Sequence, residues 1–68
     1  MNELIFLVET APDGGYTARA LGCSIFTQGE TVEELKTAIT DAVRCHFEEK
    51  EMPHIIRLHM VHDEVMAL

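Results

Sequence analysis

The residues whose chemistry could go beyond structure are His46, His54, His59 and His62, the thiols Cys23 and Cys45, and a set of carboxylates. Imidazole binds metals and moves protons near neutral pH, but a zinc site needs at least three protein ligands converging on one point. His59 and His62 lie three apart in a segment that reads as a strand, so they point to opposite faces and share no ion. His46 falls on the apolar stripe of an expected helix, where a packed histidine with one hydrogen bond is the ordinary case. Cys23 and Cys45 sit on different expected elements without metal-type spacing, the pattern of two reduced thiols in a cytoplasmic protein. No metal and no cofactor is expected.

Catalytic patterns are equally sparse. Ser24 follows Gly22-Cys23 without the glycine spacing of a nucleophile elbow. Gly14-Gly15 joins two expected strands instead of opening a helix, which rules against a phosphate loop. Glu9 and Asp13 close the first strand, yet a two-metal nuclease needs further carboxylates from other strand and helix ends, and none is expected on the third strand or early in the fourth. The chain is therefore expected to be no enzyme.

Glu48, Glu49 and Glu51 surround Lys50 where the expected helix ends, and the macrodipole there favours cations. They form either a solvated surface or an acidic contact for a basic partner. Five Lys and Arg against 12 Asp and Glu give a formal charge of −7, which opposes any sequence-independent hold on a phosphate backbone. Direct nucleic-acid binding is not expected. The longest apolar run, Leu4–Val8, is five residues, far short of the ~20 that cross a bilayer. Its acidic approach at Glu3 is unlike a signal peptide, so the location is expected to be cytoplasmic, without membrane.

These residues must be held by a chain of 68, room for one domain, expected to span 1–68. Glu3 to Thr10 is short and rich in Ile, Phe and Val, which suits a strand. Leu4, Phe6 and Val8 alternate with Ile5 and Leu7, so both faces are apolar. Pro12, Asp13 and the glycines predict a hairpin turn, after which Tyr16–Leu21 and Cys23–Gln28 make two more strands with Gly22 marking a turn or bulge. Thr31 and Glu34 fit a capping box that starts a helix. Val32, Leu35, Ile39, Ala42, Val43 and His46 then recur at helical spacing over roughly four turns, and Pro53 ends any continuation. Ile55–Val61 is a fourth strand, with Glu64–Leu68 as an extension beyond Asp63.

The order β-β-β-α-β predicts an α+β fold, a small antiparallel sheet with one helix on a face. Either edge could take the fourth strand. A single short helix cannot hide all the apolar surface, so Ile5, Leu7, Ile56, Leu58 and Met60 are expected to form the interface of a homodimer or higher oligomer.

Asp13-Gly14-Gly15-Tyr16-Thr17-Ala18, Leu21-Gly22-Cys23-Ser24 and the stretch Thr27-Gln28-Gly29-Glu30-Thr31-Val32-Glu33-Glu34-Leu35 together resemble the core signature of the HicB-like antitoxin domain. The resemblance covers most of the chain. It implies a reduced relative of the RNase H fold. It also implies a non-catalytic protein that binds over a small, basic, RNA-cleaving toxin of the HicA type and blocks its active site. The matching residues, Asp13–Tyr16, Gly22, Cys23 and Gln28–Thr31, are mainly fold-defining. Full-length members add a C-terminal DNA-binding segment; the expectation here is a short stand-alone member without one. The usual Pro-Asp-Leu-Pro-Gly-Cys approach is shortened to Ala20-Leu21-Gly22-Cys23, implying a tighter join of the second and third strands. Some short relatives carry a 2-oxoisovalerate dehydrogenase label, which 68 residues cannot support with a thiamine diphosphate site. The alternative is a stand-alone structural or adaptor homo-oligomer that has lost its toxin.

Overall fold

A computed structural model describes residues 2–68. Alternating apolar residues, then a helical repeat, then a second alternating run give β1 (Glu3–Thr10), β2 (Tyr16–Ala20), β3 (Phe26–Gly29), α1 (Val32–His46), a 3-10 turn (Glu49–Glu51) and β4 (Ile55–Val61). The fold is α+β in the expected β-β-β-α-β order. The four strands form one sheet in the order β3-β2-β1-β4.

The two hairpins are antiparallel, but β4 runs parallel to β1, from Glu3 opposite Ile55 to Glu9 opposite Val61. The sheet is thus mixed where a wholly antiparallel one is expected from the sequence. The reason is the helix. At about 1.5 Å per residue, α1 returns the chain roughly 22 Å to the end of the sheet where β1 starts. The next strand must then run in the direction of β3 and β1, as a helical crossover requires.

Turn chemistry sets the joins. The Ala11 N–H donates to the Gly15 carbonyl at 2.7 Å and the Gly14 N–H to the Ala11 carbonyl at 3.0 Å, with Gly14 at φ 100°. Between β2 and β3, Gly22 takes φ 103° and the Ala20 N–H donates to the Ile25 carbonyl at 2.9 Å. The second strand ends at Ala20 and the third begins only at Phe26, so the link is longer than the sequence suggests. Ile25 still reaches the core from it.

Leu4, Phe6 and Val8 of β1, Ala18 and Ala20 of β2, Ile25, and Leu35, Ile39 and Val43 of α1 form a single buried cluster. Phe6 and Leu35 are fully enclosed. Small Ala18 and Ala20 leave room for the helix, which packs over β2 and β3. The far edge of the same face, along β4, is covered least. His46 is exposed rather than packed, its ring edge-on to Phe47 at 4.9 Å.

The five residues expected to form one oligomer interface lie on two faces. In the β1–β4 register, Leu4 stands opposite Ile56, Phe6 opposite Leu58 and Val8 opposite Met60, which puts Ile56, Leu58 and Met60 on the helix side. Ile5 and Leu7 point the other way, beside Arg57 and His59. Ile56 and Leu58 pack against the core, whereas Met60 is half exposed beyond the helix. One flat patch cannot contain all five.

Among the described residues no helix is long and apolar enough to cross a membrane.

Candidate functional site

Antiparallel pairing of β2 with β3 places Tyr16 opposite Gly29, so the β1–β2 hairpin and the β3–α1 junction share one end of the sheet. The two turns nest closely. A Cβ on Gly15 would come within 3.1 Å of the Gly29 carbonyl oxygen, and a Cβ on Gly29 within 2.7 Å of the Leu35 nitrogen. Glycine at position 29 is what lets β3 run straight into the first turn of α1.

That first turn is capped from within. Thr31 sits in extended backbone, and its hydroxyl accepts from the Glu34 N–H at 3.1 Å. The Glu34 carboxylate accepts in return from the Glu30 N–H at 3.0 Å, one residue before the cap. One bare donor of the first helical turn and the N–H just ahead of the cap are thereby satisfied. Glu33 and Glu34 also lie where the helix dipole favours negative charge.

Between the turns is an open concavity of about 280 Å³, lined by Ala11, Asp13, Gly15, Tyr16, Gln28, Gly29, Glu30 and Glu34. Three carboxylates edge it. Glu34 is engaged in the cap, while Asp13 and Glu30 take part in no ion pair among the described residues. Tyr16 lines it while packing against the core. Such a hollow suits a guanidinium or ammonium group, which gains charge-assisted hydrogen bonds to the carboxylates. The sequence shows these residues as turn and cap signals. Their convergence depends on the β2–β3 register, and the recurring acids at Asp13, Glu30 and Glu34 are the signal that could have drawn attention to it.

Glu48, Glu49 and Glu51 are exposed at the opposite end of α1. The helix stops at His46, with Arg44 and His46 in its last turn and the Phe47 N–H bonded to the Val43 carbonyl. Glu48 precedes the separate 3-10 turn and Glu49 and Glu51 lie in it, so none of the three occupies the helix's last turn. They form a second acidic surface, separated from the concavity by the length of the helix.

The four histidines are all exposed and dispersed: His46 after α1's core, His54 before β4, His59 on the sheet face away from the helix, and His62 beyond β4. Among the described residues no three His, Cys, Asp or Glu side chains are placed to hold a metal ion. Cys23 is half-buried, Cys45 is exposed, and both are free thiols. Glu9 lies at the far end of β1 from its start and Asp13 in the hairpin, without a third-strand acid beside them.

Over 55 residues the chain is 64% identical to a UPF0150 protein of Archaeoglobus fulgidus, a match covering 81% of this chain and 82% of that protein. A UPF0150 protein of Thermotoga maritima is 42% identical over 66 residues, which cover 97% of this chain and 93% of the relative. The chain belongs to the UPF0150 family. No family model matches it, and no solved structure does. In this UPF0150 member the acidic concavity lies where the β1–β2 hairpin meets the β3–α1 junction.

Proposed function

We propose that this chain is a HicB-like, non-catalytic antitoxin-type protein that binds and inhibits a small basic RNA-cleaving toxin of the HicA type. Membership of UPF0150 is compatible with this reading. The observation that supports it best is the meeting of the hairpin and the cap at one acidic hollow, on a chain of charge −7. An RNA-cleaving protein holds its substrate's phosphates with Arg and Lys. Carboxylates presented at the right spacing compete for those same cations, and opposite fields speed the encounter. Inhibition then needs no chemistry from the bound chain, only occupancy.

A second reading is a stand-alone structural or adaptor homo-oligomer without a toxin. The apolar surface left uncovered on β4 and beyond it favours that reading.

The test is a tagged pull-down from the native host at low and high salt, with captured proteins then assayed on a synthetic RNA. A basic partner that cleaves the RNA, and stops when purified chain is added, supports the antitoxin reading. Recovery of this chain alone at both salts supports the structural homo-oligomer.

A further inference from the structure

Beyond β4 the backbone runs on through residues 62–68 without pairing with any strand of its own sheet, and Val65, Met66 and Leu68 are almost wholly exposed. This segment makes the molecule long: its principal extents are 52 × 19 × 17 Å. The radius of gyration is 13.3 Å, against roughly 11 Å for a compact domain of this length. The same region has an open place to fill. β4 is an edge strand with unpaired backbone groups on its outer side. On the helix face, Ile56 and Leu58 form one side of an open, mainly apolar groove of about 260 Å³ with Ile39, Lys36 and Thr40 on the other, and among the described residues no other side chain lines it.

We propose that residues 62–68 are an exchange arm and that their occupant site is β4 of a second copy of this chain. In a symmetric pair, the arm of each copy lies antiparallel along the outer edge of β4 in the other, with the twofold axis at His62. Length supports this pairing, because the stretch 62–68 is enough to run along the seven residues of β4. So does the side-chain alternation. Centred on His62, Met66 falls opposite Leu58 of the second copy and Leu68 opposite its Ile56. Continuing the pleat of β4, both point to the helix face, where they cover the bare flank of the groove. Val65 falls opposite His59 and Ala67 opposite Arg57 on the other face. A shift of one residue would turn Met66 and Leu68 to the wrong side, so the apolar pattern confines the register to even steps, of which centring on His62 sets both residues beside the groove-lining Leu58 and Ile56. The geometry is strand addition made reciprocal, and it extends each sheet to five strands. It stands independently of any toxin, because both participants are this chain.

The experiment uses the full chain alone. Sedimentation equilibrium at micromolar concentration is expected to give a dimer, and Met66→Lys with Leu68→Lys is expected to weaken dimerisation at least ~10-fold while circular dichroism keeps the fold, because both residues are exposed in the single copy. A covalent test fixes the register. With Cys23→Ser and Cys45→Ser as background, Leu58→Cys with Met66→Cys should oxidise to a disulfide-linked dimer. The two positions are about 26 Å apart along one extended chain, too far to bridge internally. Leu58→Cys with Val65→Cys should not link. A monomer at micromolar concentration overturns the proposal, as does a dimer of unchanged affinity in the double Lys variant. A dimer that instead falls apart with Ile5→Asp while ignoring the arm substitutions assigns the interface to the opposite sheet face and also overturns it.

Discussion

Arg57 and Glu3, 54 positions apart, meet in a forked contact, Nε to Oε1 at 2.8 Å and Nη2 to Oε2 at 3.2 Å. Glu3 opens β1 and Arg57 sits two residues into β4, so the pair ties the edge strand to its neighbour in the parallel register. Parallel pairing has no tight turn to hold its alignment, and the fork supplies a local check on it.

The Arg57 guanidinium, mainly through this hydrogen bond, holds the Glu3 carboxyl below the ordinary glutamate value. A depressed folded-state pKa stabilises above the unfolded value of about 4.3, and that contribution is lost as pH falls through the lower folded value. Urea titrations of the parent and Glu3→Gln should therefore differ slightly at pH 7. The gap should close in acid and shrink in high salt, because the pair is exposed. A gap that widens in acid would contradict the assignment.

Gly29→Ala should be the most damaging of the glycine substitutions. Its Cβ would meet the Leu35 nitrogen at 2.7 Å and the Leu35 Cα at 3.0 Å, backbone atoms that cannot swing aside. A loss of about 1–3 kcal/mol in equilibrium unfolding is expected, as for overpacking elsewhere. Gly14→Ala and Gly22→Ala meet open space and carry only the strain of positive φ, roughly 1 kcal/mol each.

Thr31→Ala removes the hydroxyl that accepts from the Glu34 N–H and should cost about 1 kcal/mol, read from the urea midpoint. Thr31→Ser should recover most of it. Failure of the serine to rescue would mean that the methyl group, not the cap, matters.

Phe6→Ala empties the centre of the only buried cluster among the described residues and should cost about 3–5 kcal/mol. Against a total stability of about 5–15 kcal/mol for ordinary domains, and the low end for one this small, most of the chain should unfold by circular dichroism at 37 °C.

If a basic partner is captured, the two acidic surfaces can be told apart. Asp13→Asn with Glu30→Gln should slow its association if the concavity is the contact. Glu48→Lys with Glu49→Lys should do so if the 3-10 turn is. Both pairs are exposed, so the fold should survive. Stopped-flow rates at two salt concentrations would show the loss chiefly in association, because steering is screened over ~8 Å at physiological salt.

The elements were legible from local chemistry. The short, β-rich apolar runs of Glu3–Thr10 and Ile55–Val61 define two strands at their observed limits, and Thr31 with Glu34 marks the helix start, because side-chain type and capping act within a few residues. The core residues Leu35, Ile39 and Val43 follow from helical spacing for the same reason. Tertiary structure alone decided which edge β4 joins, that it runs parallel, and hence that Ile56, Leu58 and Met60 share a face with Phe6 while Ile5 and Leu7 do not. It also decided that Asp13 and Glu30 edge one hollow. Those outcomes depend on register between segments far apart in the chain, where a shift of one residue reverses every side chain, and no pattern within a single segment records that choice.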